Sequence, residues 1–528
     1  MMKRSSFHSR IILCLSVTLL LGFTQATVSG SQTGKRKERP NVLFIAIDDL
    51  NDWVGVMGGH PQAITPNLDK FAKSGILFKR AYCSAPACNP SRASLLSGLR
   101  PSTTGVYHNP QPWRPVMPQV VTLPDLLRRS GYHVWGGGKI FHGSFPDTKA
   151  WDEYFKGSNK FKNNVLPPNG IGGNMRWGPI DVEDEDMPDT QMTDWAIDKL
   201  KKKHEQPFFL AVGYIKPHLT WHAPKKYFDM HPLDKVKLPK VNKSDLNDIP
   251  PSGIKMAKPG GDHKKITKKG VWKEAVQAYL ATSTYMDAQL GRLLQALEDS
   301  EYADNTIVII WSDHGWHLGE KEHWRKFALW EEAARVVMMA RAPGMTPPGR
   351  ECQRTVTLLD IYPTVVELCD VQPKGKLEGH SLVPLLKNPD AEWKHPAITT
   401  HGRNNHAVRT ERWRYIHYAN GEEELYDHDN DPMEWKNLAG DPKFANIKKE
   451  LSQHFPKVNV PDAPRSKPKK GKKKKKKKAE IIFPDRNPNL RPIQFPNRTA
   501  FRRGSFYNTP MFTHLPMAVE PLSMRERG

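Results

Sequence analysis

Residues 41–47 (Asn-Val-Leu-Phe-Ile-Ala-Ile) are apolar without a break after the first position, and the run stops at Asp48-Asp49. A half-exposed strand alternates, whereas a continuous run of this length suits a strand covered on both faces, as in a parallel sheet. Phe208 to Val212 and Thr306 to Trp311 have the same character. Val336 to Ala340 reads as a further strand and His133 to Trp135 as a short one. Helical stretches lie between them. One runs from Pro66 to Ser74, with Thr65 placed to cap it and Gly75 to end it. Others cover residues 123–130, Asp189-Thr190 to about Lys203, and 272–299, the last with apolar residues at helical spacing. The alternation predicts an α/β sandwich with a mostly parallel central sheet over residues 40–390. From about 390 the period shortens. His406 to Thr410, Trp413 to Tyr418 and Glu424 to Tyr426 read as short strands joined by turns such as Asn420-Gly421, with a helix near 442–455. This predicts a small antiparallel-sheet subdomain over residues 391–458.

Length and charge refine this outline. A chain of 528 residues can hold one large domain and a smaller one. Residues 1–30 read as a cleavable secretory signal: Lys3, Arg4 and Arg10 precede an apolar core from Ile11 to Phe23 that is too short for a stable membrane span. Cleavage near Ala26 or Gly30 is equally compatible, and the expected location is secreted or periplasmic. No other stretch is long and apolar enough to cross a bilayer. The formal net charge is +23, of which residues 465–478 carry +11, residues 479–528 +3 and residues 1–39 +6, so the predicted globular part is nearly balanced at +3. That lysine run has no interleaved aromatics and no accompanying motif, which argues against nucleic acid as a partner. Residues 459–528 are predicted to be a solvated, disordered basic tail, because like charges repel and little apolar surface offsets ordering. Four cysteines follow the leader (Cys83, Cys88, Cys352, Cys369), too few for a disulfide framework. A Cys352–Cys369 bridge is open, with a buried free thiol at Cys369 the favoured reading.

The candidate chemistry sits where strands end. In Cys88-Asn89-Pro90-Ser91-Arg92-Ala93-Ser94-Leu95-Leu96-Ser97-Gly98, Pro90 fits a first helical turn and Gly98 a helix end. Cys88 is then at a helix N-terminus, which favours anions, and Arg92 adds a planar fork of donors one turn on. Asp48-Asp49 and Asp313-His314 each follow a buried strand, and ligands bind outside the carboxyl ends of strands in open α/β sheets. Three carboxylates gathered there would repel unless a cation lay between them, and oxygen ligands suit calcium or magnesium. Taken alone, Asp48-Asp49 would pass as a solvated turn, and His314 is the awkward member of a hard-cation set. Gly136-Gly137-Gly138-Lys139-Ile140-Phe141-His142 follows a short strand, and one turn can aim Lys139 and His142 inward. Pro217 fixes the approach of His218, and the stretch Trp316 to Lys326 can bring Lys326 back over the same place.

Taken in order, Asp48-Asp49, Cys88-x-Pro-Ser-Arg92, Gly-Lys139-x-x-His142, Lys-Pro-His218, Asp313-His314-Gly-Trp316 and Lys326 resemble the type I sulfatases, most closely the iduronate-2-sulfatase branch, over about residues 40–455. The segment Glu424-Leu425-Tyr426-Asp427 to Asn437-Leu438 resembles their C-terminal subdomain. The resemblance implies an alkaline-phosphatase-like sandwich and a hydrolase of sulfuric esters. It implies that Cys88 is oxidised to formylglycine by a maturation enzyme. One calcium ion would be held by Asp48, Asp49, Asp313, His314 and the modified residue 88. Arg92 and Lys139 would hold the hydrated aldehyde, His142 would act as base, His218 would protonate the leaving alcohol, and Lys326 would bind sulfate oxygens. Trp316 offers a face for a sugar ring, and the expected substrate is a sulfated sugar or glycan. A choline-sulfatase-like enzyme, a phosphoester or phosphonate hydrolase on the same fold, and a glycan-binding protein without turnover are the alternatives. Oligomeric state is not legible.

Overall fold

The computed structural model describes residues 39–155, 157 and 167–466. The secretory signal predicted for residues 1–30 and the lysine-rich run from 467 onward lie outside the described residues. The central sheet holds β1 (Asn41–Ile47), β2 (Ile76–Tyr82), β3 (His133–Gly138), β4 (Glu153–Phe155), β5 (Phe208–Tyr214), β6 (Thr306–Ser312), β7 (Arg335–Val336), β8 (Met338–Arg341) and β9 (Arg350–Thr357). Their order is β7-β2-β8-β6-β1-β5-β3-β4, with β9 on the free flank of β2. The pairings β1 with β5, β1 with β6, β3 with β5, β3 with β4 and β2 with β9 are parallel. Only β7 and β8 run against their neighbours. The sheet is therefore mostly parallel, and β1, β2, β3, β5 and β6 all end at one edge.

Every residue of β1, β5 and β6 is buried, which accounts for their continuous apolar runs. Alternate side chains divide between two layers. Val42, Phe44, Ile307 and Ile309 pack with helices Cys88–Ser97, Leu123–Arg129 and Ile361–Leu368. Leu43, Ile45, Val308 and Ile310 pack with helices Pro66–Ala72, Pro188–Leu200 and Trp272–Glu298. This is a helix–sheet–helix sandwich. A separate four-stranded antiparallel sheet (Ala397–Thr400, His406–Arg409, Trp413–His417, Glu423–Asp427) forms the C-terminal subdomain, followed by a helix at Ala445–Ser452.

Several local expectations change. Thr65 does not cap its helix; its hydroxyl instead accepts from the Gly55 amide at 2.9 Å, tying down the preceding loop. The three glycines 136–138 belong to β3 rather than to a turn after it, since they pair with Ala211, Val212 and Gly213 of β5; glycine is required at 136 because Trp151 and Tyr154 occupy the place of a Cβ. The stretch 336–340 is split between two short antiparallel strands. The tail does not begin at 459: residues 459–466 lie along the 102–111 loop, with Val460 N donating to Ser102 O at 2.9 Å and Ala463 N to Gly105 O at 2.8 Å. All four described cysteines are free and buried, so Cys352 and Cys369 are not bridged. No described helix is long and apolar enough to cross a membrane.

Candidate active site

The common edge of β1, β2, β3, β5 and β6 gathers the predicted residues. Pairing continues one residue past the strands: Asp48 N donates to Tyr214 O and Asp313 N to Ile47 O, each at 3.2 Å. The three carboxylates are thereby set on adjacent strand ends. Asp49 has φ 63°, a left-handed turn that redirects the chain at this point. The Asp49 amide donates to Asp313 Oδ1 at 3.1 Å. Helix Cys88–Ser97 starts at the same edge, and all ten of its residues are buried. Ser91 Oγ donates to Asp313 O at 2.6 Å, which locks that helix to the end of β6.

Arg92 is fully buried beneath the cluster. Its Nε donates to Asp313 Oδ2 at 2.8 Å, one terminal nitrogen reaches Asp48 Oδ1 at 3.3 Å, and the other donates to the carbonyls of Lys139 and Ile140. Four of its five N–H groups are thus engaged within the protein. Arg92 orients the acids and has a single donor left for a group attached at residue 88. Lys139 Nζ bonds Asp48. Its backbone stands where it does because Gly138 and Gly213 meet closely, the Lys139 amide donating to Gly213 O at 2.8 Å. A Cβ at Gly213 would lie 2.5 Å from Lys139 backbone atoms.

Cys88 Sγ is 3.0 Å from Lys326 Nζ and 3.3 Å from His314 Nε2. Lys326 Nζ also bonds Asp49 Oδ1 at 2.6 Å. Burial opposes a thiolate at Cys88, but Lys139 and Lys326 outweigh it and hold the thiol well below its usual range. Burial likewise opposes charge on Asp48, and Lys139, His218, Arg92 and Lys326 overcome it, keeping that carboxyl well below the carboxylate range. His218 Nε2 lies 3.8 Å from Asp49 and 4.0 Å from Asp48. Burial lowers its basicity, but the two aspartates more than compensate and raise its pKa. Its Nδ1 sits 2.6 Å from Leu219 O, which leaves Nε2 directed at the site. His142 is part-buried, and desolvation pushes its pKa down to about 4, so the ring is neutral near pH 7 and able to accept a proton.

One oxygen, Asp49 Oδ2, is buried without a hydrogen-bond partner among the described residues. Ligand atoms of Asp48, Cys88, Asp313 and His314 all lie within 4.8 Å of one another, as do those of Asp49, Cys88 and His218. A buried orphan carboxylate oxygen and three convergent carboxylates fit a hard divalent cation, with His314 adding one nitrogen donor.

Trp316 departs from its predicted use. It is 1% exposed, packs edge-on against Trp221 and lies beneath the Lys326 ammonium at 5.3 Å, so it supports Lys326 and offers no face to a sugar. Asp189 belongs to this arrangement although no motif in the sequence points to it. Its carboxylate accepts from the amides of Ile215 (3.1 Å) and Lys216 (2.9 Å), fixing the loop that carries His218. The sequence marks Asp189 as a helix start, but its partners lie more than 25 residues away and leave no local signal.

Residues 40–371 match the sulfatase family, and residues 319–460 match the C-terminal region described for N-sulphoglucosamine sulphohydrolase. The chain belongs to the sulfatase family. A sulfatase of Formosa agariphila is 38% identical over 469 residues, 84% of this chain and 92% of that one. Mouse iduronate 2-sulfatase is 31% identical over 409 residues, covering 67% and 73% of the two chains. Among solved structures, the phosphonate monoester hydrolase of Agrobacterium radiobacter superposes with TM-score 0.68 at 23% identity, over 80% of this chain and 97% of that one. A protein solved with its substrate D-glucosamine-2-N,6-O-disulfate gives 0.64 at 22%, over 79% and 96%. Those two establish the shared sandwich. The sulfatase is thus a sulfuric ester hydrolase whose predicted residues, Trp316 apart, converge on one strand-end cluster around Cys88.

Proposed function

We propose that the sulfatase is an exported, calcium-dependent hydrolase of sulfated sugars whose nucleophile is formylglycine made from Cys88. The observation that carries this reading is the position of Cys88 Sγ, within 3.3 Å of both Lys326 and His314 and inside the carboxylate cluster. The relatives named iduronate 2-sulfatase favour a sugar substrate. The leader-like residues 1–30 support export. Asp48, Asp49, Asp313 and His314 are the residues that would hold calcium, which when bound supplies a Lewis acid for the sulfate oxygens. Oxidation of Cys88 supplies a geminal diol, able to release sulfate by collapsing to the aldehyde where a serine would stay esterified.

The remaining roles belong to side chains already in place. Lys326 Nζ faces the substituent of residue 88 and offsets negative charge on the sulfuryl oxygens. Lys139 and Arg92 hold Asp48 and Asp313 in register and keep the nucleophile's surroundings cationic. His218 carries its proton on Nε2, raised in basicity by Asp48 and Asp49, and gives it to the leaving alkoxide, a contribution of about 10²–10⁴-fold. His142, neutral near pH 7, takes a proton in the step that frees sulfate. Mass spectrometry of the peptide over residues 81–92 tests the nucleophile: the thiol-to-aldehyde mass change is expected in active protein, and an unmodified thiol in fully active protein refutes the proposal. Paired assays with aryl sulfate and aryl phosphate test the substrate class, and a preference for phosphate would overturn it.

A further inference from the structure

Directly beside residue 88 is a small cavity of about 240 Å³, lined by Ala87, His108, Asn109, Pro110, Phe327 and Arg465. Drug-sized pockets start near 300 Å³, so this one suits a single substituent or ring rather than an oligosaccharide. Its walls are continuous with the chemistry. Ala87 precedes the nucleophile, and Phe327 follows Lys326, its amide donating to Pro86 O at 3.0 Å. The opposite wall is wired to the same helix: the Asn89 amide donates to Asn109 Oδ1 at 3.0 Å, and Asn89 Nδ2 to Gln111 O at 2.7 Å.

Arg465 reaches the cavity from the far end of the described chain, on a strap held at several points. Gln111 Nε2 donates to Ala463 O at 2.8 Å, and Ser466 N donates to Pro110 O at 2.8 Å. The backbone on both sides of Arg465 is therefore fixed, yet its guanidinium is exposed and forms no ion pair among the described residues. The nearby acid, Asp462, is directed at His108 (3.6 Å) and Gln111 (3.2 Å) instead. Among the described residues, no acidic side chain lines the cavity. A guanidinium without an ion-pair partner among the described residues, an aromatic ring and an amide, around a cavity whose wall includes the residue preceding the nucleophile, match a sugar that carries a second anion.

We propose that this cavity is a substrate subsite in which Arg465 binds a carboxylate or second sulfate on the sugar whose ester reacts at residue 88. The proposal rests on the sulfated-sugar reading above and narrows it to doubly anionic sugars. It is tested with Arg465→Ala and Arg465→Lys on three substrates: 4-nitrophenyl sulfate, a 4-methylumbelliferyl iduronide 2-sulfate, and glucosamine 2-N,6-O-disulfate. In Arg465→Ala, the ratio of kcat/KM for an anionic sugar to that for the aryl sulfate falls about tenfold, mainly through KM, as expected for losing one charge-assisted contact. Arg465→Lys recovers part of it. Loss confined to the iduronide identifies a carboxylate, and loss confined to the disulfate identifies a sulfate. An unchanged ratio for both sugars, or an equal loss on all three substrates, overturns the proposal. Equilibrium binding of the same sugars in a Cys88→Ala background separates the two readings. If no sulfate ester is turned over by the unaltered protein, the functional reading fails, while the dissociation-constant ratio with and without Arg465→Ala still decides the subsite.

Discussion

Replacing Arg414 with Met is predicted to destabilise the protein by about 3–5 kcal/mol, the usual cost of removing one partner from a buried ion pair. Arg414 is fully buried where the C-terminal sheet meets the catalytic domain. It pairs with Glu331 of the catalytic domain and with Glu434, and donates to Leu329 O at 3.0 Å. Burial raises the Glu434 pKa, but Arg414 and His428 more than cancel that and hold it down at about 2, from 4.5. A depression of that size corresponds to roughly 3 kcal/mol, in line with the mutational figure. The sign follows from linkage. A depressed carboxyl stabilises the fold above its unfolded pKa, and the benefit is lost as pH falls from about 4.5 towards 2. Met keeps much of the apolar stem but leaves Glu331 and Glu434 without their cation. The difference between the two proteins is therefore largest at pH 7 and narrows by about 1 kcal/mol at pH 4. Urea denaturation of both proteins at the two pH values measures it. A variant within 1 kcal/mol of the parent at pH 7, or a difference that does not shrink at pH 4, refutes the reasoning. Because Leu329 O is three residues from Lys326, KM for a sulfate ester is also expected to rise.

Cys88→Ala is expected to abolish turnover while leaving the denaturation midpoint nearly unchanged, since the side chain lost is small and the two lysines beside it keep Asp49 and Asp48 as partners; retained turnover would exclude the nucleophile. His218→Asn should lower kcat about 10²–10⁴-fold for sugar sulfates and much less for 4-nitrophenyl sulfate, whose leaving group needs no proton; equal losses on both would remove His218 as the acid. Asp189→Ala should reduce kcat through displacement of the His218 loop, seen as the same leaving-group dependence as His218→Asn in weaker form. Deleting residues 467–528 should leave sulfate-ester kcat/KM within a factor of two, and a larger loss would mean that the lysine-rich tail contributes to turnover.

The legible parts of the fold were those where burial is complete. β1, β5 and β6 are enclosed on both sides and so lack any polar residue in their centres. β2 carries no such signal because Lys79 and Arg80 interrupt its apolar run. They are tolerated since their ends reach outward, Lys79 to Glu351 at 3.7 Å and Arg80 to Gln353. The acids at 48, 49 and 313 were legible as strand-end carboxylates with no apolar reason to be there. An aromatic after a reactive motif reads the same in sequence whether it faces a ligand or props a lysine, and Trp316 does the second. Arg465 was hidden by its neighbours: beside ten lysines it looks like one more solvated charge, and only the backbone bonds from 102–111 distinguish it.

The complete enclosure of helix Cys88–Ser97 sets an order of events. With 1% of Cys88 exposed, no second protein can seat its own catalytic groups around that thiol once the sandwich has closed. Any enzyme that converts Cys88 must therefore act on the nascent chain, in competition with folding. On the proposed formylglycine chemistry, molecules that close first would be stable yet inert, so specific activity in a preparation would report the outcome of that race more than the quality of the fold.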